Sequence, residues 1–196
     1  MRALCKHKES MAVTQRHARC SSLALLLSTF LIFFWPPQSV AMEEDELKAA
    51  FLNYFFQLIR WPEGVEARPV RFCTAGESHV ISALKSLIAV SEHKSFDADF
   101  ALIATPKEAT ECDYVYIHSD DSDFSLPVIA TTRGRAILTV SDIDGFADAG
   151  GVIELKRESS QVAVLINMDA LATQGLQASS KLLSVAKLRS TKGGTP

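Results

Sequence analysis

Pro69-Val70-Arg71-Phe72-Cys73 followed by Thr74-Ala75-Gly76-Glu77 is the stretch that decides the fold. Val70 and Phe72 alternate with Arg71 and Cys73, the period of a short strand, and Ala75-Gly76 supplies a turn. From about Glu77 to Ala89 the apolar residues Val80, Ile81, Leu84, Leu87 and Ile88 recur at intervals of three and four, which is helical spacing. A strand feeding directly into a helix is the opening of a βαβ unit, so an α/β architecture is expected.

Working outward, the segment before it is also helical. Glu43 to Glu46 opens acidic, and Leu47, Ala50, Phe51, Tyr54, Phe55, Leu58 and Ile59 follow at helical intervals up to Trp61-Pro62 and Gly64. Acids in a first turn suit the positive end of the helix dipole. The default reading of the stripe Phe51, Tyr54, Phe55 and Leu58 is core. Phe56 and Trp61 do not fit that face and are candidates for a partner surface.

After the second helix, strands are expected over 96–103, ended by Thr105-Pro106, and over 112–117, with a buried-type strand at 136–140. Segments 151–155 and 162–166 read as a hairpin across 156–161, and 168–173 as a short helix capped by Gly175. Ser179 or Ser180 caps a last helix carrying Leu182, Leu183, Val185, Ala186 and Leu188. Alternation early and a hairpin late predict an α/β single-domain sandwich, its mixed sheet flanked by helices, parallel at first and antiparallel near the C-terminal edge.

The first forty residues read as a leader. Arg2, Lys6, Lys8, Arg16 and Arg19 face one acid, Glu9, and an apolar run extends from Leu23 to Trp35. That run is short of the roughly 20 apolar residues a membrane span requires. Pro36-Pro37 and the small-x-small pattern Ser39-Val40-Ala41 then favour removal as a secretory signal peptide over residues 1–41, with translation starting at Met1 or Met11. An uncleaved anchor is the alternative. Cys20 precedes the apolar run, where a lipidated cysteine would have to follow it. The expected organisation is therefore a leader (1–41), one α/β domain (42–189) and a polar tail (190–196) that frays, with no membrane insertion of the mature protein.

Setting the leader aside changes the balance of charge and of thiols. The 20 basic and 23 acidic residues become 15 and 22, a formal charge of −7 that repels phosphate backbones and argues against nucleic-acid binding. Of four cysteines, only Cys73 and Cys112 remain. In an oxidising compartment they most simply form one disulfide, which closes a 39-residue loop and by the chain-entropy model contributes roughly 4 kcal/mol. The other option is a metal or catalytic thiol pair, but the spacing is not C-x-x-C.

No catalytic pattern is evident. His79, His93 and His118 lie in no nucleophile setting, so no triad is signalled. His118-Ser119-Asp120-Asp121-Ser122-Asp123 lacks the glycine and the twelfth-position glutamate of a calcium loop and reads as a solvated acidic loop. Gly150-Gly151 matches neither phosphate-binding glycine motif and reads as a turn. No cofactor or metal is called for, and the chain is not expected to be an enzyme.

Taken in order, Ala50-Phe51-Leu52-Asn53-Tyr54-Phe55 with Trp61-Pro62, then Phe72-Cys73, Cys112-Asp113-Tyr114-Val115-Tyr116, Ile137 to Asp142, Gly150-Gly151-Val152-Ile153, Ile166-Asn167, Gly175-Leu176 and Ser179 to Leu183 resemble the YfiR family of small periplasmic proteins, from Glu46 to about Leu188. The resemblance implies a dimeric periplasmic repressor that contacts the periplasmic sensor region of an inner-membrane diguanylate cyclase and so lowers cyclic di-GMP and biofilm formation. It also implies structural cysteines, matched here by Cys73 and Cys112. A second cysteine pair found in some relatives near 146–152 is missing here. Leu165 stands where the family tends to carry an acid, which makes it a third candidate partner contact, or the point at which a contact is lost. The competing reading is a periplasmic sensor or carrier that holds a small ligand between helix and sheet; a closed apolar pocket would favour it, whereas an exposed apolar patch would favour the repressor.

Overall fold

The computed structural model describes residues 44–62, 69–90, 98–159 and 161–190. The expected leader, His93 and the tail beyond Ser190 lie outside them.

Helix α1 (Glu44–Leu58) begins with Glu44, Asp45 and Glu46 in its first turn, as the dipole argument requires. It runs directly into a two-residue strand, β1 (Ile59–Arg60), rather than continuing to Trp61. Strand β2 (Val70–Thr74), helix α2 (His79–Val90) and strand β3 (Ala98–Leu102) form the anticipated βαβ unit, with β2 and β3 parallel neighbours. A 3-10 helix (Pro106–Glu111) leads to β4 (Tyr114–Ile117), and a second (Ser119–Phe124) leads to helix α3 (Ser125–Thr132). Then come β5 (Leu138–Ser141), β6 (Ile153–Glu158), β7 (Gln161–Asn167), α4 (Met168–Thr173), β8 (Gln177–Ala178), α5 (Ser180–Val185) and β9 (Lys187–Arg189).

Seven strands make one sheet in the order β3-β2-β4-β5-β6-β7-β9, and β1 pairs with β8 in a small ladder of its own. Strands β3 through β6 are mutually parallel, and β6 and β7 form the antiparallel hairpin. The hairpin turns at Ser159, whose φ of 54° is the left-handed conformation that short hairpin turns need. The mixed α/β sandwich is therefore present as expected. Strand β9 replaces the end of the expected last helix: α5 stops at Val185, and Lys187–Arg189 pair in parallel with β7.

Strand alternation sorts the core into two layers. Val70, Phe72, Tyr114, Tyr116, Leu138, Val140, Ile153, Leu155, Val164 and Ile166 face one side, where α1 supplies Ala49, Leu52 and Phe55 and α2 supplies Val80, Ile81 and Leu84. Cys73, Val115 and Ile117 face the other side, against Val128 and Ile129 of α3 and against Ala109, Ile137 and Phe146. The α1 stripe is rotated from its expected position. Leu52 and Phe55 are buried, whereas Tyr54 is 50% exposed, with Lys181 Nζ 6.0 Å from its ring.

Cys73 and Cys112 are joined, as expected, with Cα atoms 6.0 Å apart. The bridge forms because β2 and β4 are parallel neighbours. Cys73 lies on β2 in register with Val115, and Cys112 lies just ahead of β4 on the adjacent strand.

Candidate functional site

The parallel strands present their carboxyl ends along one edge. Since β3 lies on one side of β2 and β4 on the other, chain direction reverses at β2, the place where open α/β sheets leave a crevice. Thr74, Ile117 and Ser141 end the three strands there and hand over to Ala75-Gly76, His118 and Asp142. The crevice is tightly filled on the β2 side: a Cβ on Gly76 would lie 2.6 Å from an Asp121 carboxylate oxygen. On the β5 side, Ser141 Oγ donates to Ile117 O at 2.7 Å and accepts from Ile143 N at 3.0 Å, tying the two strand ends together.

Above β4 and β5 lies a charge cluster contributed largely by α1. Lys48, buried although charged, donates to Asp142 Oδ2 at 2.7 Å and pairs with Glu44 Oε1 at 2.9 Å, while Glu44 also meets Arg157. Burial alone would lower the Lys48 pKa, but its bonds to Asp142 and Glu44 outweigh that and raise it above the ordinary lysine value. The Glu44 carboxyl is held below the usual carboxylate value, first by the Lys48 hydrogen bond. His118 Nε2 approaches the same Asp142 oxygen at 3.7 Å. Tyr116 lies beneath; burial first, then Asp142 and Asp45, push its phenol far above the ordinary range, so the hydroxyl stays protonated. Of the four buried side-chain atoms without a hydrogen-bond partner among the described residues, two, the Tyr116 hydroxyl and Asp142 Oδ1, lie in this cluster.

The acidic stretch 118–123 is ordered rather than a loop. His118 caps the second 3-10 helix, its Nδ1 accepting from Asp120 N at 3.2 Å. Among the described residues, no group of three or more His, Cys, Asp or Glu is placed to hold a metal.

Of the residues marked for partner contact, Trp61 and Leu165 are buried and Phe56 is half-buried. Trp61 is 8% exposed, and its indole donates to Asp113 O at 3.3 Å. Phe56 is half-buried, 5.3 Å from the Trp61 ring and 6.1 Å from Tyr114. Leu165 is 3% exposed, held between Glu154 of β6 and Lys187 of β9. In this conformation Trp61 and Leu165 offer no surface to a partner. What the structure does offer is an open, largely apolar groove of about 720 Å³ where α1 meets α2, lined by Ala49, Ala50, Ala83, Leu87 and Val90 with Glu46 at its rim. Val90 is 82% exposed. Leu87 and Ala50 stood out in the sequence through their helical spacing; Ala49 and Ala83 did not, because a small residue reads as neutral on any helix face.

A smaller, polar-lined cleft of about 130 Å³ lies between α3 and α4, beside Arg133, Asn167 and Asp169. It is well below the several hundred Å³ typical of ligand pockets. Beside it, the loop 142–151 is pinned at Ala147, whose N donates to Glu154 Oε2 at 3.0 Å and whose O accepts from Asn167 Nδ2 at 2.7 Å. Phe146 packs so closely over Gly151 that a Cβ there would lie 2.1 Å from its ring. This packing fixes the segment that leads into β6.

The YfiR/HmsC-like family model matches residues 45–187. This chain belongs to the YfiR/HmsC-like family. The match covers every strand of the sheet through the first residue of β9, and the bridging cysteines fall inside it. Membership in the YfiR/HmsC-like family suggests a periplasmic regulatory protein rather than a catalyst. Among the described residues, no helix is long and apolar enough to cross a membrane. No curated protein matches the chain. Two solved structures are similar to it at a TM-score of 0.49: the ABC domain in complex with L-Trp from Streptococcus pneumonia (8% identity, covering 74% of this chain and 59% of that one) and a conserved domain protein from Vibrio cholerae O1 biovar eltor (11% identity, 76% and 60%). The chain thus spans about three-fifths of each.

Proposed function

We propose that this protein binds and represses an inner-membrane diguanylate cyclase from the periplasmic side, lowering cyclic di-GMP and biofilm formation, and that it acts as a homodimer exported by a cleaved leader. The observation that carries the reading is the family match over residues 45–187. The open groove between α1 and α2 supports it, because an exposed apolar surface is what a protein partner covers, whereas a ligand carrier would enclose its pocket. Repression by binding requires only that the inactive form of the cyclase be preferred. Moving that equilibrium from 1:99 to 99:1 takes a preference of roughly 10⁴-fold, about 5.5 kcal/mol.

Pull-down from detergent-solubilised membranes with the mature protein tests the contact. The cyclase should be retained by the wild type and lost with Leu87→Glu, a substitution on the groove wall that leaves the core untouched. Equal retention by both would move the contact away from this groove, and no retention of any cyclase by the wild type would count against the repressor reading. Alkaline washing of membranes tests the leader: the mature form should be released, and a full-length form that stays bound would mark an anchor.

A further inference from the structure

We propose that His118 is a proton-operated latch at the carboxyl edge of the sheet, exchanging the cap of the second 3-10 helix when the surroundings acidify. The argument rests on the hydrogen-bond inventory of imidazole. A neutral ring has one N–H and one bare nitrogen, whereas a protonated ring has two donors and no acceptor. Nδ1 receives the backbone N–H of Asp120 at 3.2 Å, so it is bare in this arrangement and the ring proton sits on Nε2, toward Asp142 Oδ2 at 3.7 Å.

The same Nδ1 lies 3.3 Å from Asp120 Oδ2. These two contacts exclude each other: the backbone contact requires Nδ1 without a proton, and the carboxylate contact requires one. Protonation sets two N–H groups against each other, breaks the cap, and replaces it with an ion pair to the side chain of the same residue. The bond from Asp121 N to His118 O, 2.9 Å, involves no ring atom and survives the exchange. The turn therefore rearranges without unwinding.

The surroundings accommodate the added charge. From α1 the cluster receives Glu44, Asp45 and Lys48; from the end of β5, Asp142; from the turn itself, Asp120 and Asp121; and Arg157 of β6 pairs with Glu44. Tyr116, whose ring meets the imidazole edge-on at 6.4 Å, contributes no charge. Carboxylates outnumber the two cations here, and the imidazolium is one further cation among them. It also joins Lys48 on Asp142 Oδ2, the oxygen that fastens α1 to the sheet. Asp121, the next residue of the turn, packs on Gly76 just past the end of β2. A proton taken up at this side chain is thus felt at helix α1 through the shared Asp142 oxygen.

The mature protein, observed by NMR from pH 8 to pH 5, tests this. The ring nitrogens of His118 should report the Nε2–H form at the alkaline end. The Asp120 amide should shift in step with the ring, and its exchange, corrected for the intrinsic pH effect, should quicken by about fivefold, the size of losing one side-chain cap. His118→Asn keeps an acceptor at the Nδ1 position without a titrating proton and should hold the Asp120 amide steady. Asp120→Asn should keep the ring titration but blunt the exchange of partners. An Nδ1–H ring at pH 8, an Asp120 amide indifferent to the ring, or a His118→Asn protein that follows pH as the wild type does would each overturn the proposal.

Discussion

The two faces of the sheet are held by different physics. On the face under α1 and α2, Phe72, Tyr114, Tyr116 and Phe55 are fully buried, and rings pack on one another, Phe72 to Tyr114 at 4.5 Å. On the opposite face an apolar layer of Val115, Ile117, Val128, Ile129 and Phe146 is supplemented by Cys73, Thr139, Ser141, Glu154 and Asn167, so that a covalent bridge and directed hydrogen bonds add to the packing. Hydrophobic packing is non-directional and tolerates exchange among side chains of similar size. A polar network and a disulfide tolerate none, because a partner left unsatisfied in the interior costs free energy. One face should therefore fail by cavity and the other by reduction or desolvation.

Phe72→Ala tests the first face most severely, with an expected loss of about 3–5 kcal/mol in urea unfolding, while Phe72→Leu should lose much less. Equal losses for both would mean that shape, rather than volume, holds this layer. On the other face, Cys73→Ser is expected to cost about 2–5 kcal/mol, and reductant should destabilise the wild type but not the variant. Asn167→Ala removes two hydrogen bonds at once, a buried one to Ala147 O and a partly buried one from the Ala170 N that its Oδ1 caps at 2.9 Å, with an expected cost of about 1–3 kcal/mol. Asn167→Asp, which keeps the cap but not the donor, should separate the two contributions. Ser179→Ala, removing the cap of α5, is expected to cost about 1 kcal/mol.

The smallest expected effect is pH-dependent. Because the Glu44 carboxyl is held below its ordinary value, the pair with Lys48 contributes stability above the unfolded carboxyl's titration range and loses it as pH falls through the lower, folded value. The difference in stability between wild type and Glu44→Gln, followed from pH 7 to pH 3, should shrink on acidification. A constant difference would remove Glu44 from the account.

What the sequence made legible follows the same division. The strands facing α1 and α2 show themselves by alternation and β-rich composition, and the single bridge follows from two cysteines outside the expected leader. Helix α3 was hidden because Ser125 to Thr132 is rich in β-branched residues and includes Pro127, features that lower helix propensity. It is helical because Val128, Ile129 and Thr132 share one face and pack on the sheet. Strand β9 was hidden by continuity of apolar spacing into Leu188; its exposed Lys187 and Arg189 are the charges that protect a sheet edge from further pairing. The burial of Lys48 was not legible, because its acidic partner Asp142 lies 94 residues away in sequence. The aromatics Phe56 and Trp61 were spare only while their partners, the Tyr114 ring for Phe56 and the Asp113 carbonyl for Trp61, were unknown.

The central claim is repression of a diguanylate cyclase, and cellular cyclic di-GMP measures it most directly. Deleting the gene for this protein should raise the nucleotide, and deleting the partner cyclase as well should return it to the starting level. Unchanged cyclic di-GMP in the single deletion, with the cyclase shown to be expressed, would contradict the account and favour the small-ligand sensor or carrier instead.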